Sequence, residues 1–484
     1  MHTRGPQDTR GLDVAIVGGG ASGTLAAIQL LRQAAESRQP LQIWLIDEHA
    51  RHGLGQAYST GHDAHLLNAM AGRMSALPGE PGHLVSWAQS SPAVPGPVSD
   101  ATFLPRRAYG QYLRDTLAAA EHAARPGGQL TRISAAVTAI RPGRDGHAAQ
   151  LELAGEDRGR PPLDADVVIL ATGNMPAALP FEAPDCSAVI RDPWRPGALD
   201  QVTASRDGSR VVIVGSGLTM VDLALAITSR RPGSVVHAVS RHGLLPRAHP
   251  ADPPALASPP WLPATAQRTG PVRLADLMRQ VRQAAGGRPE RWPAVLDSLR
   301  PHIPDLWQRM PEQDKRAFLR HVARHWEVNR HLMPPATTAR ITTLRLTGQL
   351  VIHRGQVLAA RPHQGGVGVV TATACGAGEL QGDWLIGAAG GTADITTAAS
   401  PLLRGLFASG LARPDPLRLG VDAGQDGAVL GRDGQPAGFL YALGPPLRGV
   451  RYETTAIPEI REQAAALAGQ IIASNLGRLR GSAA

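Results

Sequence analysis

The chain has 484 residues, 43% hydrophobic and 18% charged, a composition typical of a globular protein too long for one compact core. Its formal net charge is +9, but Lys315 is the only lysine and the arginines are spread along the chain without a basic run. Together with only 4% aromatic residues, this argues against nucleic-acid binding and against Schiff-base chemistry at a lysine.

The two cysteines and the hydropathy of the chain exclude further classes. Neither Cys186 nor Cys375 belongs to a C-x-x-C pair, which excludes a dithiol redox centre of the disulfide-reductase kind and a cysteine metal site. The sequence has no run of 18 apolar residues and no signal-peptide core before the first strand. We therefore expect a cytoplasmic protein without a membrane partner.

The stretch from residue 13 to residue 47 reads as an apolar strand, a glycine turn, a helix and a second strand, the order of a βαβ unit. Gly18, Gly20 and Gly23 have G-x-G-x-x-G spacing. This spacing is typical of a turn that lets the backbone approach a pyrophosphate, which then lies at the N-terminus of the helix. The stretch therefore predicts a dinucleotide site.

Three further residues are assigned to this first site. Ser22 lies in the turn beside the pyrophosphate, and Asp47 ends the second strand, where a carboxylate accepts hydrogen bonds from a ribose. Glu48 is the alternative ribose ligand if the strand ends one residue later.

The chain continues with a long irregular connection, rich in glycine and histidine, and a predicted helix over 109–124. Short β-like runs come next. The run DADVVILATGN then predicts a buried strand that leads into Thr172 and Gly173, where small residues let the backbone approach a ligand.

The same pattern then repeats. Residues 210–225, RVVIVGSGLTMVDLAL, predict a strand, a glycine turn and a helix, with Gly215 lying 197 residues after Gly18. The run DWLIGAAGG at 383–391 resembles DVVILATGN. Two such units predict two nested dinucleotide-binding domains, a stronger indication than either motif alone.

In the second unit, Gly215, Ser216 and Gly217 are placed to hold a pyrophosphate. The next strand ends in Ser240 and Arg241 instead of an acid. A guanidinium there suits the 2′-phosphate of NADPH, so we favour NADPH over NADH, with a purely structural arginine as the alternative.

These observations predict an α/β protein with two Rossmann-like domains, the first discontinuous and the second inserted into it. The predicted segments are 11–203 for the first part of the first dinucleotide-binding domain, 204–382 for the second domain with a helical insert at 246–335, and 383–475 for the second part of the first domain.

The chain resembles the flavoproteins with two dinucleotide-binding domains. Within them it is similar to a bacterial group that contains flavin-dependent urate hydroxylase and the aspartate N-monooxygenase that makes nitrosuccinate. The phrases that carry the resemblance are GLGQAYST, HLLNAMAGRMSA, DPW, VGSGLTMVD, HWEVNRHLMPP and ETTAIPEIREQAAALA. The resemblance implies FAD in the first site and a reduced nicotinamide in the second. Met220 departs from the usual Gly or Ala of the second motif, which weakens the expected nicotinamide site.

The resemblance also implies that the irregular connection passes near the flavin, with core packing or a solvated charge as the alternative for its members. The residues assigned on this basis are Asn68, Arg73, Met74 and Ser75. Val137 is assigned to the adenine, and Thr172 and Gly173 to the body of the cofactor.

The substrate assignment rests on a cationic helix in the insert. It carries Arg320, Arg324, His325, Arg330 and His331 with Trp326, of which Trp326, Arg330 and His331 are the predicted substrate residues. His321 and His325 have i, i+4 spacing, but no acid or third histidine stands at a ligand offset, so we predict no metal site.

We therefore expect an FAD-dependent NAD(P)H monooxygenase that hydroxylates a small nitrogen-containing substrate with molecular oxygen through a flavin hydroperoxide. Urate is the favoured substrate. The alternatives are N-hydroxylation of an amino acid such as aspartate, an NAD(P)H-dependent flavin oxidoreductase without oxygen insertion, and a non-catalytic flavin-binding protein. The chemistry belongs to the cofactor, so the sequence identifies no catalytic residue.

Overall fold

The computed structural model describes residues 11–143, 146–155, 161–175, 178–250, 269–373, 376–390 and 394–482, with side chains up to residue 476. Its strands are β1 (Leu12–Val17), β2 (Leu41–Ile46), β3 (Gly128–Ile133), β4 (Ala135–Pro142), β5 (Ala149–Gly155), β6 (Leu163–Ala165), β7 (Val167–Leu170), β8 (Val189–Ile190), β9 (Arg210–Val214), β10 (Val235–Ser240), β11 (Leu350–His363), β12 (Gly366–Thr373), β13 (Gly376–Gly382), β14 (Trp384–Gly387), β15 (Ala428–Leu430) and β16 (Pro436–Ala442). Cys375 and the proline-rich run at 251–264 lie outside the described residues.

The helices alternate with these strands along the chain. They are α1 (Ala21–Ser37), α2 (Gly55–Tyr58), α3 (His83–Ser90), α4 (Arg106–Ala124), α5 (Asp200–Ala204), α6 (Leu218–Arg230), α7 (Leu274–Ala285), α8 (Trp292–Leu299), α9 (Ile303–Arg309), α10 (Glu312–Ala317), α11 (Ala323–Arg330), α12 (Pro335–Leu346), α13 (Pro401–Ser409), α14 (Arg448–Arg451) and α15 (Ile457–Ser482). A π-turn at Phe318–Val322 joins α10 to α11.

The first sheet has the order β15-β16-β7-β1-β2-β3 and is parallel except for the edge strand β15. Its central strands are almost wholly apolar because both faces are covered. Helices α1, α4 and α15 pack on one face, and the small β4-β5-β6 sheet with α13 packs on the other. Because β15 and β16 join strands from residues 12–170, the sheet is built from two distant parts of the chain.

The second sheet has the order β13-β12-β11-β10-β9-β14-β8. Its four central strands, β11, β10, β9 and β14, are mutually parallel and place α6 and α12 against one face. Strand β14 pairs with β9, although the predicted boundary at 383 assigns it to the first domain. Strand β8 joins the same sheet from before residue 204. Pairing therefore extends this sheet beyond the predicted segment at both ends.

The helical insert lies between β10 and β11 and contains α7 to α11 with a core of its own. Prolines stand in the first turns of α8 and α9, where the helix does not need the missing N–H group. Helix α12, where the predicted insert ends, already packs on the second sheet through Ile341 and Leu344. The predicted fold class, two Rossmann-like domains with a helical insert, is confirmed. Among the described residues, no helix is long and apolar enough to cross a membrane.

Candidate functional site

The first glycine turn has the geometry that a bound pyrophosphate requires. Gly18 has φ 112°, and a Cβ there would overlap the carbonyl oxygen of Ala171 after β7. A Cβ on Gly23 would overlap the carbonyl oxygen of Gly18, so only glycine lets α1 pack this closely on β1. Gly20 has no side-chain cap, and its Cβ would meet only the Cα of Gly55, at 3.4 Å. The first turn of α1 therefore keeps its amide groups available to an anion.

Asp47 organises the loop beside this turn. Its Oδ2 accepts a hydrogen bond from the amide of Gly19 at 3.0 Å, and its Oδ1 accepts from the amides of His49 and Arg51 at 3.0 and 2.9 Å. Glu48 is exposed. Of the two acids proposed for the ribose, Asp47 is the one held against the glycine turn.

The carboxyl end of β7 and the segment after β16 close the other side of the first turn. Ser22 is buried and lies against Gly444. Thr172 and Gly173 line a small cavity with Pro445 and Pro446. The structure thus brings Ser22, Thr172 and Gly173 to one edge of the first sheet, next to the glycine turn.

Three other residues assigned to the first site are packed into cores. Met74 is 4% exposed, and Ser75 is fully buried with its hydroxyl bonded to the backbone of Leu77. Val137, on β4, is buried against the first sheet. All three are surrounded by protein, which is what the alternative of core packing predicts. Their assignment to FAD stays a prediction.

The remaining two assigned residues connect the first domain to segments of the chain that come after β10. The carbonyl oxygen of Asn68 lies 2.9 Å from Nε2 of His249. Arg73 is exposed and forms an ion pair with Asp297 of α8 at 2.7 Å. Both contacts join the irregular connection to the second domain and its insert.

The second glycine turn reproduces the first. Gly215 has φ 120°, and a Cβ there would overlap the carbonyl oxygen of Ala388 after β14. Helix α6 begins after Gly217, which has no side-chain cap. Met220 is fully buried in the core between α6 and the sheet. Its larger side chain therefore packs inside the domain and does not alter the geometry of the glycine turn.

The strand register shows which residues correspond in the two sites. Val17 of β1 pairs with Ile46 of β2, and Val214 of β9 pairs with Val239 of β10. Ser240 therefore occupies the position of Asp47, and Arg241 is the next residue. Arg241 is exposed.

Arg324 of the insert also reaches the second turn, although its place in the sequence suggested the substrate group. Its Nη2 donates to the carbonyl oxygen of Leu244 at 2.6 Å and lies 3.2 Å from Oγ of Ser216. Sequence spacing could not show this contact, because more than a hundred residues separate the turn from α11.

A cavity of about 290 Å³ is lined by residues of both domains and of the insert. The first domain contributes Gln56 and Asn174, and the second contributes Thr219 and residues 387–390. The insert supplies Trp326, Glu327 and His331, and α14 with the residues after it supplies Arg448, Tyr452, Glu453 and Thr455. The segment between β8 and α5 adds Arg191, Asp192 and Trp194 to the polar part of the wall. Because Asn174 and Arg448 also line the small cavity beside Thr172, the two cavities adjoin.

Glu453 is a buried carboxylate in the wall of this cavity. It is 4% exposed, and its Oε1 accepts a hydrogen bond from Nε1 of Trp326 at 3.0 Å. Burial by itself would raise the pKa of Glu453, but the Arg330 guanidinium, together with the hydrogen bond from Trp326, outweighs this effect and holds that pKa below its usual value. Glu453 is therefore a negative charge at neutral pH.

Arg330, a predicted substrate residue, lies behind this wall. Its Nε is 3.6 Å from Glu453, and its Nη2 is 3.9 Å from Glu459, which also binds Arg300 through two hydrogen bonds. Two arginines thus share two carboxylates. Among the described residues, Arg330 does not line the cavity, whereas Trp326 and His331 do. Burial, followed by Arg330 and Arg448, lowers the pKa of His331, which is consequently neutral at physiological pH.

Tyr452 places Glu453 through an unusual backbone conformation. Tyr452 has φ 55° and ψ −66°, a conformation that side chains rarely adopt and that is often found at functional sites. Its ring is buried and stacks on Trp307, with centroids 4.6 Å apart. Sequence reasoning missed Tyr452, Glu453 and Glu327, because no spacing marks a residue whose role depends on a backbone kink.

Comparison with known proteins agrees with this geometry. Residues 15–175, about a third of the chain, match the family model described as FAD-NAD(P)-binding, in agreement with the predicted cofactors. None of the curated proteins matches the sequence. The fold and the two turns thus define a protein with two dinucleotide-binding domains, of which the first has a recognised FAD-NAD(P)-binding sequence.

Solved structures with this fold include an ornithine N-hydroxylase and a lysine monooxygenase. The ornithine N-hydroxylase of Kutzneria sp. 744, in a complex with reduced FAD, NADP⁺ and L-ornithine, is 16% identical with a TM-score of 0.61, over 96% of this chain and all of that chain. The L-lysine 6-monooxygenase of Pseudomonas syringae is also 16% identical, with a TM-score of 0.63, over 95% of this chain and 98% of that one. The bacillithiol disulfide reductase of Bacillus cereus is 14% identical with a TM-score of 0.51, over 96% of this chain and 100% of that one.

Proposed function

We propose that this protein is an FAD-dependent monooxygenase that uses NAD(P)H and O2 to hydroxylate the nitrogen of a small amine, with an amino acid as the substrate class. The balanced reaction is R–NH2 + O2 + NAD(P)H + H⁺ → R–NHOH + NAD(P)⁺ + H2O. FAD supplies the oxygen chemistry when bound. The protein's own residues bind the two dinucleotides and the substrate, and they exclude water from the cavity.

The observation that carries this proposal is the charge of the cavity wall. Glu453 and Glu327 present carboxylates beside the aromatic rings of Trp326 and Tyr452, a combination that suits an ammonium group. Arg448 lies 3.6 Å from Glu327 and over the ring of Tyr452, and it offers a guanidinium to a carboxylate. Opposite charges on one wall complement a zwitterion.

The same wall argues for N-hydroxylation over the urate reaction that the sequence favoured. The anionic class of substrate behind that preference rested on a set of free cations, but Arg330 lies behind the cavity wall against Glu453 and Glu459, and Arg324 faces the second glycine turn. A urate anion would instead face Glu453 and Glu327. The fold shared with ornithine and lysine hydroxylases supports the same alternative.

For the first dinucleotide we assign Gly18, Gly20, Ser22 and Gly23 to the pyrophosphate of FAD and Asp47 to its ribose. This assignment fits the open N-terminus of α1 and the carboxylate held against the turn. Gly215, Ser216 and Gly217 take the same role for the nicotinamide coenzyme.

Oxygen consumption with NADPH, measured separately with L-ornithine, L-lysine, L-aspartate and urate, tests the proposal. We expect one of the amines to raise oxygen uptake and to yield a hydroxylamine in proportion to NADPH consumed. Urate should have no effect. Stimulation by urate alone, with ring-hydroxylated product, would instead establish the sequence-based preference. Flavin reduction without any hydroxylated product would point to a reductase.

A further inference from the structure

Glu327 of α11 stands between the cavity and the second glycine turn. Its Oε2 lies 3.6 Å from Nη1 of Arg324, and its Oε1 lies 3.6 Å from Nη2 of Arg448. Within the part of the chain that the structure describes, neither arginine has a second carboxylate at ion-pair distance. One carboxylate is therefore shared by two guanidinium groups.

The two arginines belong to different sites. Nη2 of Arg324 donates to the carbonyl oxygen of Ser216 at 3.3 Å and lies 3.2 Å from its Oγ, which keeps this guanidinium beside the N-terminus of α6. Arg448 lines the cavity and lies over the ring of Tyr452, 5.8 Å from the ring centroid. Glu327 thus connects a cation of the second turn with a cation of the cavity.

Glu327 is not committed to either partner. Both of its distances exceed the length of a normal N–H···O hydrogen bond, about 2.7–3.2 Å. The three side chains are 26–35% exposed to solvent. Elsewhere in the same insert, Arg300 is held by Glu459 through two hydrogen bonds. A small shift of the Glu327 carboxylate therefore closes one of its ion pairs and opens the other.

The position of this carboxylate changes the charge that the second turn presents to a coenzyme. A pyrophosphate at the turn is attracted by Arg324 and repelled by Glu327. When Glu327 is drawn to Arg324, it reduces the positive charge of the turn. When Glu327 is drawn toward the cavity, by Arg448 or by a bound ammonium group, the charge of Arg324 is available to the pyrophosphate.

We propose that Glu327 couples the two sites, because a coenzyme pyrophosphate that binds Arg324 releases this carboxylate to the cavity, where it receives the ammonium group of the amine. The proposal rests on the coenzyme site and the amine class of the proposed function, and it adds an order of binding, coenzyme before amine. Coupling between two binding sites is reciprocal, so the amine tightens coenzyme binding by the same factor.

Calorimetric titration of the FAD-loaded protein with NADP⁺ and with NAD⁺ tests this coupling without oxygen or an amine. We expect Glu327→Gln to tighten coenzyme binding by about two- to fivefold, the range typical of partly exposed ion pairs. Arg448→Gln should weaken binding by a similar factor, since Glu327 then turns to Arg324 alone. In the Glu327→Gln background, Arg448→Gln should have a much smaller effect. Equal effects of Arg448→Gln in the two backgrounds would overturn the proposal.

Two further variants separate coupling from other causes. Arg448→Lys keeps a positive charge beside Glu327 and should retain the wild-type affinity. Glu312→Gln removes an exposed carboxylate of the same insert, paired with Arg316, and should change nothing; tightening equal to that of Glu327→Gln would refute a specific role for Glu327. If the wild type binds neither coenzyme, this proposal and the assignment of the second turn fail together, whereas normal binding without coupling removes this proposal and leaves the proposed function standing.

Discussion

Glu453 is a buried negative charge in the wall of the candidate substrate cavity, so it would contact a bound substrate directly. We expect Glu453→Gln to raise the KM for the amine substrate by about tenfold or more, since a charge-assisted contact of roughly 1.5–3 kcal/mol is lost. Glutamine still accepts the hydrogen bond from Trp326, so kcat should change less. Steady-state oxygen uptake measures both constants. Glu462→Gln, at an exposed carboxylate, is the control, and an equal effect there would refute the assignment.

Arg330 makes a less direct probe of the cavity than the sequence suggested. Its removal leaves Glu453 and Glu459 with one arginine fewer in a buried cluster, and breaking such a group costs about 3–5 kcal/mol. We therefore expect Arg330→Ala to lower the thermal unfolding midpoint strongly. A stable variant with only a changed KM would show that its charge serves the ligand directly.

A substitution at Gly20 can test cofactor binding without disturbing the fold. A Cβ there meets only the Cα of Gly55 at 3.4 Å, so Gly20→Val should fold while its side chain obstructs the pyrophosphate. We expect a greatly reduced ratio of FAD to protein, measured by flavin absorbance after purification. Gly61→Ala, at an open position, should retain FAD. Full FAD occupancy in Gly20→Val would show that the pyrophosphate does not bind at this turn.

At the scale of elements, α11 serves both sites at once. It directs Arg324 toward the second glycine turn and Trp326 and Glu327 toward the cavity, and the π-turn at Phe318–Val322 precedes it. Such turns are often found at functional sites, because one extra residue shifts which side chains share a face. The i, i+4 histidine pair predicted on a regular helix is affected by this change, since His321 lies inside the π-turn and His325 lies beyond it.

The insert also supports the cavity from behind through Trp307. Its Nε1 donates to the carbonyl oxygen of Gly449 at 2.8 Å, and its ring stacks on Tyr452. We expect Trp307→Phe to destabilise the protein by about 1–3 kcal/mol through the unpaired carbonyl, and Trp307→Ala by about 3–5 kcal/mol. Thermal unfolding and KM should change together. Trp292→Phe, at a partly buried ring, should cost less, and a larger loss there would contradict this role.

At the scale of the whole molecule, a buried polar contact joins the two dinucleotide domains. Arg106 at the start of α4 lies 2.8 Å from Asp222 of α6, and their side chains are only 15% and 7% exposed. His65 adds a contact of 2.9 Å between its Nε2 and the carbonyl oxygen of Asp222. Asp222 lies in α6, the helix that follows the second glycine turn, so these contacts hold that turn against the first domain.

This contact predicts a pH dependence of stability. Burial raises the pKa of Asp222 to about 6, although Arg106 opposes the shift, so ionisation costs more in the folded state than in the unfolded chain. The contribution of Asp222 is therefore complete below about pH 4 and is lost as the pH rises through about 6, by at most about 3 kcal/mol. The free energy of unfolding of the wild type, relative to Asp222→Asn, should fall over that range. A difference independent of pH would be contrary to this prediction, and Asp185→Asn, at an exposed site, is the control.

The sequence alone determined both glycine turns, the repeated βαβ pattern and the fold class. These features are local, since strand, turn and helix are contiguous and each glycine is required by atoms of its own unit or of the strand beside it. The sequence also showed that the second strand of the first unit ends in an acid, Asp47, and that the corresponding strand of the second unit ends in Ser240.

Only the tertiary structure shows which residues line the cavity and which groups the arginines of α11 contact. Asn174, Thr219, Trp326 and Glu453 come from four separate segments, and no periodicity relates them. The sequence placed Arg324 and Arg330 together because they lie on one helix. The fold pairs Arg330 with buried carboxylates and brings Arg324 to a turn more than a hundred residues earlier, because charge compensation in a protein interior depends on which distant segments pack together.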